Sequence, residues 1–141
     1  MKSLVVIGGG EISKKETLPI DKHIVALTGK RSPKALFIPT ASGDADGYCA
    51  TFHKIYGNIL GCKTDVLLLL HSTPSYQALK KNILSSDLIY VGGGNTLAMI
   101  RRWRHLGVDK LLKKAYEQGI VMAGLSAGGI CWFIKKSSQF S

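Results

Sequence analysis

"DLIYVGGGNT", Asp87 to Thr96, decides the fold. Leu88, Ile89, Tyr90 and Val91 run together without polar alternation, the pattern of a strand buried on both faces. Three glycines stop the run. Asn95 or Thr96 can then cap a helix that carries Met99, Trp103 and Leu106 at helical spacing, and Gly107 ends it. The stretch therefore reads as strand, tight turn, helix.

The same order recurs in both directions along the chain. After Gly107, Asp109 lies in the opening turn of a helix with Val108, Leu111, Leu112, Ala115 and Tyr116 on one face. Gly119 ends that helix and leads into the strand "IVMAG" (120–124). Upstream, "DVLLLL" (65–70) reads as a buried strand, and Thr73-Pro74 opens the next helix as cap and first-turn proline. "ALFIP" (35–39) is a strand stopped by Pro39, and the small, polar loop "TASGDADGY" follows. Tyr48, Phe52, Ile55, Tyr56 and Ile59 then recur at helical spacing until Gly61. "SLVVIG" (3–8) is the first strand; it ends in Gly8-Gly9-Gly10, and a helix is expected over about Pro19 to Thr28.

Five nearly continuous apolar strands separated by helices predict a three-layer α/β/α fold with a mainly parallel sheet. No internal repeat, low-complexity tract or boundary divides the chain, so residues 1–141 form a single α/β domain. The tail "KKSSQFS" is polar and aperiodic and is expected to fray.

Composition narrows the function classes. Hydrophobic residues are 45% and charged residues 20%, as in a soluble globular protein. No apolar run reaches the roughly 18 residues of a membrane span, so no membrane partner is expected. "MKSLVVIGGG" reaches glycines after a short apolar run and reads as a strand, not a signal peptide. Cys49, Cys62 and Cys131 make an odd number without paired spacing, which points away from disulfides or zinc and towards the cytoplasm. The net charge is +10, but the lysines and arginines are scattered in pairs such as Lys80-Lys81 and Lys113-Lys114. They fit solvated helix faces, and no nucleic-acid partner is expected.

In open α/β sheets, ligands bind beyond the carboxyl ends of the strands. Four glycine-rich or small loops leave such ends: Gly8 to Glu11, Thr40 to Gly43, Gly92 to Thr96 and Gly124 to Gly129. The last matches G-x-S-x-G as Gly124-Leu125-Ser126-Ala127-Gly128. In a nucleophile elbow the serine sits on a tight strand-to-helix turn, flanked by small residues because the two backbones approach closely. The next N–H, here that of Ala127, points where an oxyanion would form. From the pattern alone, Ser126 is either such a nucleophile or a small residue in a tight turn. Gly92 to Gly94 can present N–H groups to an anion, or can form an ordinary turn before a capped helix.

Other candidates are weaker. Gly8-Gly9-Gly10 suggests a nucleotide loop, but Ser13 stands where a G-x-G-x-x-G motif needs its third glycine. Asp44 and Asp46 read as helix caps. His23, His53 and His105 fall in helical segments or at their ends. His71 ends the "DVLLLL" strand and is the upstream histidine to test as a base. Cys131 reads as a buried structural thiol.

Taken together, "FIPTAS", "LIYVGGGNT" and "AGLSAGGICWF" resemble the dipeptidase E (aspartyl dipeptidase) family of serine peptidases. Cyanophycinase is a relative, and the fold resembles that of class I glutamine amidotransferases, which is flavodoxin-like. The resemblance runs from the first glycine triplet to about Phe133. It implies a cytoplasmic serine hydrolase that cleaves small peptides, typically with an N-terminal aspartate, and needs neither metal nor organic cofactor. Ser126 matches the nucleophile. Gly94 and Ala127 match the oxyanion-hole donors, and Gly93 and Asn95 stand beside them as substrate-binding positions.

One departure matters. In this family the histidine and the acidic residue of the triad follow the serine, whereas Ala127 to Ser141 contain no His, Asp or Glu. A serine hydroxyl without an adjacent base is a weak nucleophile. The expectation is a domain incomplete at its C-terminus, catalytically impaired, with apolar surface that favours a homo-oligomer. The alternative is a non-catalytic binding module that keeps the glycine-rich rim.

Overall fold

The structure, a computed structural model, describes residues 2–7 and 17–125. Five strands form one sheet: β1 (Leu4–Ile7), β2 (Lys34–Ile38), β3 (Lys63–Val66), β4 (Leu88–Val91) and β5 (Val121–Leu125). Their order is β1-β5-β4-β2-β3, and every pairing is parallel. The helices are α1 (Leu18–Leu27), α2 (Asp46–Phe52), α3 (Tyr76–Leu84), α4 (Thr96–Leu106) and α5 (Val108–Glu117). A short 3₁₀ turn, Thr40–Ser42, follows β2, and a π-helical segment, His53–Ile59, continues α2.

Strand β4 lies at the middle of the sheet. It pairs with β2 (Ile38 opposite Val91) and with β5 (Val91 opposite Gly124), and all four of its residues are buried. Such a strand can be apolar throughout, because its alternate side chains enter two different cores. Leu36, Ile38, Ile89, Val91 and Met122 face α3, α4 and α5, where Leu79, Met99, Trp103, Leu111 and Leu112 pack. Ala35, Phe37, Leu88, Tyr90 and Val121 face the other way, onto Ile24 of α1 and Phe52, Ile55 and Tyr56.

The expected third strand is displaced. β3 covers Lys63–Val66, not 65–70, and it is an edge strand with Lys63 and Asp65 exposed. Its neighbour β2 ends at Ile38, so the leucine run finds little strand to pair with beyond the bond from Leu67 N–H to Phe37 C=O (2.9 Å). The chain leaves the sheet, buries Leu67 and Leu69 in the core and leaves Leu70 47% exposed.

Two helix starts also differ from expectation. Ser75, not Thr73, caps α3, accepting the Ala78 N–H on its hydroxyl (3.2 Å). Asp44 caps nothing: it is fully buried at φ 56°, and α2 follows an Ala45 N-cap without a side-chain bond. The single helix expected around Tyr48 to Ile59 changes winding after Phe52. Leu60 N–H bonds to Ile55 C=O, a five-residue step, and the wider turn carries Ile59 out to 42% exposure.

At the amino ends of the strands, Asp87 ties the layers together. Its carboxylate accepts the Lys34 N–H (2.8 Å) and the Lys30 ammonium (2.6 Å). Burial alone would raise its pKa. The bonds from Lys30 and Lys34 and their charges outweigh that and lower it.

Candidate functional site

Because every pairing is parallel, the carboxyl ends of the strands share one rim. The strands that carry the four candidate loops are consecutive neighbours, β1-β5-β4-β2. With Val91 opposite Gly124, the Gly92–Asn95 loop and the segment after β5 start side by side. Ser126 and Ala127, the expected nucleophile and second oxyanion donor, lie outside the described residues, as do Gly8 to Glu11 and Cys131.

The loop after β4 is shaped by the turn after β2. Gly92 N–H bonds to Ile38 C=O (3.1 Å), and Asn95 N–H bonds to Ala41 C=O (2.7 Å). Between them Gly94 adopts φ 145°, and a Cβ there would stand 2.1 Å from the Ala41 oxygen and 2.9 Å from the Ser42 nitrogen. Only glycine fits, on both conformational and steric grounds. The Ala41 turn is itself braced. Ser42 donates its hydroxyl to Pro39 C=O (2.9 Å), and Trp103 of α4 donates its indole N–H to the Thr40 hydroxyl (3.2 Å).

This arrangement leaves the Gly94 N–H without an acceptor among the described residues, on an exposed stretch that opens α4. The Gly93 N–H is likewise unpaired among them. Asn95 is the N-cap of α4, and its side-chain oxygen accepts the Ala98 N–H (3.1 Å). Its own N–H is spent on Ala41, so the side-chain amide nitrogen is the group it can still offer to a ligand. The positive end of the α4 dipole adds to the donors at this point.

The remaining candidates sit elsewhere. His71 is exposed in the loop after β3, and β4 and β2 separate that strand from β5. At the usual strand spacing this is about 14 Å. Its backbone N–H and that of Leu70 bond to Asp44 Oδ2 (2.9 and 2.7 Å), so Asp44 fastens two rim loops together. His53 pairs with the Thr64 hydroxyl on β3 (2.6 Å), and His23 and His105 are exposed on their helices. Cys49 and Cys62 are free thiols. Burial pushes Cys62 up to about 11, and burial with the charges of Asp46 and Asp44 raises Cys49, so neither is an activated nucleophile. Among the described residues, no three or more His, Cys, Asp or Glu side chains gather to hold a metal, and no helix is long and apolar enough to cross a membrane.

Sequence reasoning found the glycines but missed their mould. "IPTAS" was visible as a small loop, yet nothing in it announced that Ala41 would shape Gly94 or that Thr40 would receive Trp103. The signal was the smallness of Ala41, which leaves room for a backbone to pass. Asp44 followed a glycine in a turn, a position open to left-handed conformation, and that was the cue to a role other than capping.

A parallel α/β sheet with unpaired backbone donors at its rim, and a glycine-flanked serine next in sequence after an inner strand, is the setting in which nucleophile elbows occur. The chain is a member of peptidase family S51, a family of serine peptidases, whose family model matches residues 4–139. It is 37% identical over 134 residues to the uncharacterized peptidase YgaJ of Bacillus subtilis strain 168. It is 30% identical over 123 residues to the uncharacterized peptidase Lmo0363 of Listeria monocytogenes. These matches cover 94% and 84% of this chain but 57% and 56% of the relatives, so the chain spans little more than half their length.

The crystal structure of a peptidase E candidate from Listeria monocytogenes EGD-e superposes with a TM-score of 0.72 at 26% identity, covering 91% of this chain and 60% of that one. A peptidase from an acI-B1 actinobacterium shares the fold at 19% identity, with the same TM-score and coverages of 90% and 55%.

Proposed function

We propose that these residues carry the nucleophile half of a serine dipeptidase site. Ser126 attacks the scissile carbonyl of a small peptide, of the aspartyl type. The N–H groups of Gly94 and Ala127 receive the oxyanion, and Gly93 and Asn95 line the substrate's approach. The carrying observation is the exposed Gly94 N–H, without an acceptor among the described residues, on the loop beside the end of β5. A donor held at a fixed backbone position stabilises developing charge without reorganising, and one such donor is worth about 3 kcal/mol of barrier.

On this reading the general base is lost or lies outside this chain. His71 sits in the loop after β3, held by its backbone N–H to Asp44, and Ala127 to Ser141 offer no His, Asp or Glu. The chain by itself therefore binds peptide and turns it over poorly. The reaction as proposed needs no cofactor, and free, unactivated thiols fit a cytoplasmic setting.

Chemical rescue tests this reading. With an aspartyl dipeptide, the chain releases little aspartate in plain buffer. Added imidazole stands in for the missing base and raises the rate, while Ser126→Ala shows no such rise. If the two proteins respond to imidazole alike, Ser126 is not the nucleophile. The second reading, a binding module without turnover, is favoured by the lack of any His, Asp or Glu in Ala127 to Ser141. It predicts binding of the dipeptide that Ser126→Ala leaves intact and that imidazole never converts to hydrolysis.

A further inference from the structure

Among the described residues β3 is an outer edge of the sheet, away from the rim chemistry. We propose that this edge is a docking surface for a second copy of the chain, paired antiparallel about a two-fold axis at Thr64.

The backbone fixes which residues face outward. Lys63 N–H bonds to Pro33 C=O and Leu67 N–H to Phe37 C=O (both 2.9 Å), so the odd-numbered residues of β3 point their backbone groups at β2. Thr64 and Val66 therefore point theirs away from the sheet. Val66 N–H is closed locally by its neighbour's carboxylate, Asp65 Oδ1 (2.9 Å). Thr64 is left as the centre of any new ladder.

The edge is also open on both sides. One groove, about 510 Å³, is lined by Lys30, Ser32, Lys34 and Asp87 together with Lys63, Thr64 and Asp65. Another, about 340 Å³, runs past Cys49, Phe52 and His53 to Thr64, Asp65 and Val66. An added strand enters between them.

Charge then selects the partner and the register. With Thr64 opposite Thr64 of the second copy, the two threonines form the hydrogen-bonded pair. Lys63 then stands opposite Asp65 of that copy in the non-hydrogen-bonded position, where Cα atoms approach to roughly 4.5 Å and side chains are closest. The symmetry makes the opposite-charge pair twice. Shifting the axis by one residue puts Asp65 opposite Asp65, or Lys63 opposite Lys63, and either is repulsive. Charged residues on an edge usually serve to repel strands. Here lysine, threonine and aspartate repel wrong registers and complement their own reversed copy. Among the described residues, neither Lys63 nor Asp65 has an ion-pair partner within its own chain.

The strand is short, so the interface belongs to the small, weak class and association depends on concentration. The antiparallel arrangement turns the two carboxyl rims to opposite sides, leaving the proposed peptide site open in each copy.

Sedimentation equilibrium on the 141-residue chain tests the pairing without reference to catalysis. The wild type dimerises as concentration rises. Lys63→Asp and Asp65→Lys each place like charges in both pairs, and each shifts the dimer dissociation constant up at least about tenfold. The double variant carrying both substitutions restores the wild-type constant. Circular dichroism confirms that all four proteins are folded. A wild type that stays monomeric throughout overturns the proposal, as does a dimer that the single variants leave unchanged or the double variant fails to recover.

Discussion

The two faces of the sheet solve burial differently. The α3–α4–α5 face is mostly aliphatic, with Trp103 and Tyr116 its aromatics, and a buried polar contact on it, the indole N–H on Thr40, runs straight to the rim. The α1–α2 face is aromatic. Phe37, Phe52, Tyr56 and Tyr90 pack ring on ring, with Phe52 and Tyr56 stacked at 4.5 Å and Phe37 and Phe52 at 4.7 Å. Beside them a fully buried carboxylate, Asp21, accepts the Tyr56 hydroxyl (2.6 Å) and the Thr17 hydroxyl (2.8 Å). The first face shapes the site; the second joins helices. Changes on the first face should therefore reach the rim, and changes on the second should show as stability and its pH dependence.

The largest effect is expected where the first face ends. Gly94→Ala forces a Cβ against the Ala41 carbonyl, a backbone atom that cannot rotate away, at a φ that alanine resists. Strain and overpacking together cost about 4 kcal/mol. Gly43→Ala, on the same rim at φ 74° with nothing within 4 Å, costs about 1 kcal/mol from conformation alone. Urea denaturation of the two variants separates crowding from conformation. Equal losses would mean that the Ala41 contact is not what requires glycine.

A smaller loss follows from Trp103→Phe, about 2 kcal/mol from the missing hydrogen bond and the unfilled volume. Its signature is local. Amide exchange at Asn95, whose N–H bonds to Ala41, should quicken more than global stability requires, because the Thr40 brace is gone. Tyr56→Phe, on the other face, should leave Asn95 exchange following global stability. If both variants loosen Asn95 equally, the faces are not distinct in their reach to the rim.

These contrasts also mark what the sequence could say. The order of strands and helices was legible because buried parallel strands are apolar without interruption and glycines punctuate them. The glycine triplet and the Asn95 cap were legible for the same local reason. β3 was not: "DVLLLL" is more apolar than "KTDV", and what chooses between them is how far the neighbouring β2 extends. Asp44 and Asp21 were equally hidden. Asp44 holds backbone groups 26 and 27 residues away and Asp21 a hydroxyl 35 residues away, contacts that exist only after folding. The loop after β4 was legible in its glycines and illegible in the Ala41 turn that gives Gly94 its shape, while Ser126 lies outside the described residues.

The subtlest prediction concerns the carboxylate of the aromatic face. Burial raises the Asp21 pKa above its ordinary 3.8, and the hydroxyls of Tyr56 and Thr17 offset only part of that rise. The folded state therefore holds this proton more tightly than the unfolded chain does. Stability contributed by the protonated group is fully present below pH 3.8 and is lost as pH rises through the folded value. Asp87 works in the opposite sense. Its pKa is lowered, so its contribution is lost as pH falls below the same 3.8, and the two windows do not overlap. Asp21→Asn has no proton to release. Urea midpoints of wild type and variant should run parallel in strong acid and diverge in the variant's favour as pH climbs above 3.8. Curves that stay parallel across that range would mean that Asp21 is not desolvated, and the second face would then lose the feature that distinguishes it from the first.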